Sequence, residues 1–171
     1  MARFPFSRLI ATLGLGVLAN LALAGDETAV KAAYLYNFAK FIQWPDEERA
    51  TLRLCVTGED NFGNSLDSLI GKPVRHMQLA VRRGVSLQEI PQCDLIFVPA
   101  GYEQSLLRVR QVVNSYPILI VTESTNTLPK GAMIALIQAD NRIVFEVDLS
   151  TTRLFGFQVS AKMLQLARKV Y

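Results

Sequence analysis

Two short stretches, Asp94-Leu95-Ile96-Phe97-Val98 and Ile118-Leu119-Ile120-Val121-Thr122, restrict what this chain can become more than any other feature. Each is apolar at consecutive positions. A strand with one face in water must alternate, so runs like these belong to parallel strands covered on both faces. Between them, Leu106, Leu107, Val109 and Val113 recur at helical spacing and predict a helix over Glu103–Val113. Strand, helix, strand in that order is the signature of an α/β domain.

The rest of the chain extends the pattern. Val30, Ala33, Tyr34, Phe38, Phe41 and Ile42 predict a helix over residues 26–42, stopped by Trp44-Pro45. A strand follows at 52–57, a short helix at 65–69, a turn at Gly71-Lys72-Pro73 and a strand at 77–82. Residues 133–138 and 142–147 flank Ala139-Asp140-Asn141 and read as a β-hairpin. Residues 148–170 read as mostly helical, weakened by Gly156, with a second helix from about Ser160. The expected architecture is a three-layer α/β/α sandwich. Its central sheet is mostly parallel, with an antiparallel hairpin at the edge and a C-terminal helix.

The N-terminus sets the compartment. Arg3 and Arg8 precede an apolar run from Leu9 to Leu23, which ends at Ala22-Leu23-Ala24. Basic start, apolar centre and A-x-A end describe a signal peptide over residues 1–24, leaving a single domain over 25–171. The alternative is an uncleaved anchor, but the run falls short of the roughly 20 residues that span a bilayer. No insertion in the membrane is therefore expected after cleavage. The 147 residues that remain carry 16 basic and 15 acidic side chains, so the whole-chain charge of +3 resides mostly in the leader. A near-neutral domain gives nucleic-acid binding little support. In an oxidising compartment, the only two cysteines, Cys55 and Cys93, are expected to form a disulfide; the alternative is two buried thiols on adjacent strands.

Catalytic sets are sparse. Gly58-Glu59-Asp60-Asn61-Phe62-Gly63-Asn64-Ser65 has the glycine spacing of a phosphate loop, but Asn64 occupies the lysine position. Glu59 and Asp60 would repel phosphate, and the glycines read as turn formers. His76 is the single histidine, which excludes a multi-His zinc site, and it reads as solvent-facing. No G-x-S-x-G elbow is present. Lys72, Arg75, Arg82 and Arg83 form a basic stretch without interleaved aromatics. No cofactor or metal is expected. Aromatics are in surplus on the first helix, where Tyr36 lies off the main stripe. The tail, with Leu154, Phe155, Phe157, Val159 and Met163, has more apolar positions than one face can bury.

These motifs carry a resemblance. Val30 through Ile42 followed by Trp44-Pro45 resembles the opening motif of the YfiR family of periplasmic proteins. So do Cys55-Val56 leading into Gly58-Glu59-Asp60, Phe62-Gly63, Gly71-Lys72 and Cys93 with Ile96-Phe97-Val98. Gly131-Ala132-Met133-Ile134, Arg142 through Val147 and Gly156 through Ala167 complete the fit over the whole mature domain. The resemblance implies a repressor of an inner-membrane diguanylate cyclase, which it contacts at that enzyme's periplasmic sensor domain. It also implies sequestration by an OmpA-like outer-membrane lipoprotein and an α/β fold able to form a homodimer. Cys55–Cys93 matches one family disulfide; a second, further along, has no cysteines here. Glu146 matches an acidic position associated with regulation, and Ile134 lies on the paired strand. Ile134, Glu146, Phe155 and Phe157 are thus candidate partner-binding residues. The competing expectation is a small-molecule-binding sensor without a cyclase partner. It would hold an aromatic ligand near the first helix and the Gly58–Gly63 loop, with Tyr36 and Asp60 as candidate ligand-binding residues. An enzyme would need His76 or Asp60 beside a nucleophile in a pocket; a non-enzymatic regulator fits the residues best.

Overall fold

The computed structural model describes residues 18–46, 48–140 and 142–171; the start of the expected leader and Asn141 of the hairpin turn lie outside them. The first helix, α1, runs Leu18–Phe41 and so begins eight residues before the expected start. The added residues are rich in Leu and Ala, the strongest helix formers, and they carry the helix across the expected cleavage point. Two residues, β1 (Ile42–Gln43), follow it. At this end Trp44 donates its indole N–H to the Ala39 carbonyl at 3.0 Å, satisfying one of the last helix carbonyls.

The remaining elements are β2 (Thr51–Thr57), α2 (Asn64–Asp67), β3 (Pro73–Val74), β4 (Met77–Val85) and a 3-10 turn at Leu87–Gln92. Next come β5 (Leu95–Val98), α3 (Glu103–Val113), β6 (Leu119–Ser124), β7 (Ile134–Ala139) and β8 (Arg142–Val147). The tail forms α4 (Leu149–Leu154), β9 (Gln158–Val159), α5 (Ala161–Leu166) and β10 (Lys169–Val170).

Eight strands make one sheet in the order β10-β8-β7-β6-β5-β2-β4-β3. Pairing is parallel from β4 through β2, β5 and β6 to β7, and between β8 and β10. It is antiparallel at the β7–β8 hairpin and at β3–β4. Alternate side chains of the central strands enter two separate cores. Leu54, Val56, Leu95, Phe97, Leu119 and Val121 meet Leu35, Phe38 and Ala39 of α1. Ile96, Val98, Ile118 and Ile120 meet Leu106, Val109 and Val113 of α3. Helices cover both faces, as the continuous apolar runs require. The α/β/α sandwich with a mostly parallel sheet is therefore the fold.

Two details differ from the sequence expectation. The β7–β8 hairpin is not the outermost element, because β10 adds beside β8. The tail has the expected break at Gly156 and second helix after Ser160, but adds the short strands β9 and β10. Gly156 takes φ +83, a left-handed value that ends α4, and the chain extends through β9 before Ser160 caps α5. β9 then pairs antiparallel with β1, Ile42 against Val159.

The expected disulfide is formed. Cys55 on β2 joins Cys93 at the end of the 3-10 turn with Cα atoms 5.9 Å apart, inside the α3-side core. No free cysteine is left. Among the described residues no helix is long and apolar enough to cross a membrane.

Candidate functional site

In chain order the parallel strands β2, β4, β5, β6 and β7 are laid down spatially as second, first, third, fourth, fifth. The chain winds outward from β2 to β4, then returns to the other side of β2 to place β5. The loops leaving β2 and β5 diverge there, and such a reversal opens a crevice at the carboxyl ends of the strands, the preferred ligand position in open α/β sheets.

A cavity of about 260 Å³ occupies that position. After β2 come Glu59, Asp60, Asn61 and Phe62; after β5 come Pro99, Ala100 and Tyr102; β6 contributes Glu123 and α1 covers the mouth with Thr28 and Lys31. The floor is aromatic. Phe62 and Phe97 meet edge to face with ring centroids 5.2 Å apart, both buried. Gly58 takes φ +63 and lies against the Tyr102 ring; a Cβ there would stand 2.9 Å from two ring carbons. Absence of a side chain at this turn lets Tyr102 form the cavity wall, with its hydroxyl accepting from the Glu59 N–H at 3.4 Å.

The charges are arranged in pairs. Lys31 contacts Glu27 at 2.6 Å and Glu123 at 3.4 Å. Burial alone would lower the lysine pKa, but the two carboxylates hold it above the ordinary value. Asp60 accepts from Arg83 Nε at 3.0 Å and from the Phe62 N–H at 3.0 Å. Burial opposes its charge, yet Arg83 and that N–H hold its carboxyl below the ordinary range. Asp60, expected at a ligand, is therefore at the cavity with its own charge already matched. Tyr36 is elsewhere. Its hydroxyl donates to the Pro73 carbonyl at 2.8 Å, and Lys40 and Lys72 approach its ring at 5.3 and 5.5 Å. Sequence spacing missed Glu123, Lys31 and Tyr102, because only the sheet order brings three separate loops and α1 to one point.

The basic stretch is likewise matched. Arg82 meets Glu89 at 2.6 Å, and Arg83 serves Asp60 and Asp67. His76 is exposed, in the turn between β3 and β4.

The candidate partner residues lie on β7, β8 and the segment after α4. Ile134, Glu146 and Phe157 are buried, and Phe155 is half-buried with Arg110 stacked 4.4 Å above its ring. Phe157 meets Trp44 edge to face at 5.4 Å, so the opening helix and the tail, far apart in sequence, share one wall. None of the three buried residues presents its side chain on the surface. What the tail does expose is Leu154 at 80% and Leu166 at 69%.

Glu146 is the hub of the far edge. It accepts from Arg168 Nη2 at 2.7 Å, the Leu128 N–H at 2.8 Å, Thr127 Oγ1 at 2.9 Å and the Tyr171 hydroxyl at 3.0 Å. Burial would raise its pKa, but these donors hold it below the ordinary range.

Fold and cavity together define a doubly wound α/β domain with a crevice at the carboxyl ends of its strands. It resembles two solved structures: the ABC domain from Streptococcus pneumonia in complex with L-Trp, and a conserved domain protein from Vibrio cholerae O1 biovar El Tor. The first aligns at TM-score 0.54 and 11% identity over 85% of this chain and 60% of that one. The second aligns at TM-score 0.54 and 7% identity over 84% and 60%. These likenesses establish the fold alone, and the chain spans about three-fifths of the length of either structure. A search of curated proteins returns no significant match. The family is settled by sequence: the YfiR/HmsC-like family model matches residues 28–168, and the chain belongs to that family of periplasmic regulators.

Proposed function

We propose that the protein is exported, cut after Ala24, and in the periplasm binds and represses the sensor domain of an inner-membrane diguanylate cyclase. Repression lowers cyclic-di-GMP and biofilm formation, and capture by an OmpA-like outer-membrane lipoprotein relieves it. The family match over residues 28–168 carries this reading, and it begins just beyond the proposed cut. No catalysis is required. A regulator needs only a surface with different affinity for two states of its partner. We assign that surface to α4 and α5, where Leu154 and Leu166 are the most exposed large apolar side chains among the described residues. Homodimerisation belongs to the same reading.

Deleting the gene tests it in cells. Cyclic-di-GMP and surface attachment should rise, and the wild-type gene supplied in trans should lower both. Unchanged levels in the deletion strain would contradict the assignment.

A second reading rests on the cavity between β2, β5 and β6: a small-molecule-binding sensor with no cyclase partner. It predicts a ligand-dependent rise in Tm together with normal cyclic-di-GMP in the deletion strain.

A further inference from the structure

We propose that the cavity at the carboxyl ends of β2, β5 and β6 binds a small organic cation, an amine of amino-acid size. Its ammonium is taken by Glu59 and Glu123 and its body lies on the ring of Tyr102. Size, walls and charge each narrow the class. At about 260 Å³ the space exceeds the roughly 150 Å³ that accommodates benzene and falls below the roughly 300–1,000 Å³ of sites for drug-sized ligands. The walls supply π-faces: Phe62 and Phe97 in the floor and Tyr102 at the side, an environment that attracts cations.

Charge decides between cation and anion. Three carboxylates line the cavity, Glu59, Asp60 and Glu123, against one lysine. Asp60 is taken by Arg83, and Lys31 is tied at 2.6 Å to Glu27 outside the lining. Glu59 has no side-chain partner among the described residues, and Glu123 has one contact, at 3.4 Å to Lys31. An anion would have to face Glu59 and Glu123 while competing for a lysine already shared by two acids. A cation meets two underused carboxylates over aromatic faces.

Isothermal titration of the purified protein with three isosteric probes tests this: phenethylamine, 2-phenylethanol and phenylacetate, with agmatine and putrescine as further amines. The inference rests on the cavity and not on the cyclase reading, and the titration needs no partner, so the two can fail separately. Amines should bind about ten-fold more tightly than the alcohol, from one ammonium against aromatic and carboxylate groups, and phenylacetate should not bind. The double variant Glu59→Gln/Glu123→Gln should lose that advantage with an unchanged Tm. Gly58→Ala, which pushes Tyr102 from its place, should weaken every probe. Equal affinity for amine and alcohol, preference for phenylacetate, amine binding undiminished in the double variant, or no amine binding at millimolar concentration would each overturn it.

Discussion

Glu146 shows how much a single acid can hold when burial and donors are matched. At 2% exposure its charge survives because five donor atoms from Arg168, Leu128, Thr127 and Tyr171 replace water. Those donors belong to the loop before β7 and to the tail, so one carboxylate fastens both to β8. Replacing it by Ala should cost about 2–3 kcal/mol, the loss of charged hydrogen bonds from a buried group. For a domain of this size that lowers Tm by about 4–12 °C, measurable by circular dichroism. The pH dependence follows from the depressed pKa. The stabilisation is fully present above the ordinary glutamate range and is lost as pH falls through the folded-state value. Acid titration of wild type against Glu146→Gln should therefore converge at low pH; parallel curves would show that Glu146 contributes nothing by its charge. An acid in an otherwise apolar strand motif is visible in the sequence, but its partners are not. Arg168 and Tyr171 reach it only because β10 folds back beside β8.

Among the elements, the disulfide and the edge strand make separate predictions. Cys55–Cys93 closes a loop of 38 residues, worth about 3–4 kcal/mol in the chain-entropy account. Reductant should lower the unfolding free energy of wild type, read from denaturant titration, by that amount and leave Cys55→Ala/Cys93→Ala unmoved. Equal response of both proteins would contradict it. Truncation after Ala167 removes β10 and opens the β8 edge, and an open edge invites strand pairing between molecules. Light scattering should then show association beyond that of wild type. Legibility followed the physics of periodicity. Glu103–Val113 and Arg142–Val147 appear at their expected bounds because each repeats its pattern over enough residues to be recognised. β1, β9 and β10 have two residues each, too few for any period, and are set by partners distant in sequence. In the tail the break at Gly156 and the restart after Ser160 were therefore legible, while β9 between them was not.

For the whole molecule, strand order does what no local motif could. Placing β5 beside β2 gathers Lys31, Asp60, Tyr102 and Glu123 at one cavity, while Tyr36, on the same helix as Lys31, is turned away to Pro73. The same fold pairs Arg82 with Glu89 and Arg83 with Asp60 and Asp67. The two most exposed large apolar side chains among the described residues lie on α4 and α5. Leu154→Glu/Leu166→Glu should weaken partner binding at least about ten-fold, as loss of a central anchor does, with Tm unchanged. An equal fall in Tm would mark these leucines as structural. The most direct measurement is calorimetric titration of the purified protein, lacking residues 1–24, against the periplasmic domain of an inner-membrane diguanylate cyclase from the same organism. The repressor account predicts saturable binding with a Kd at or below the micromolar range, weakened by the double leucine variant. Absence of binding to that domain would contradict it.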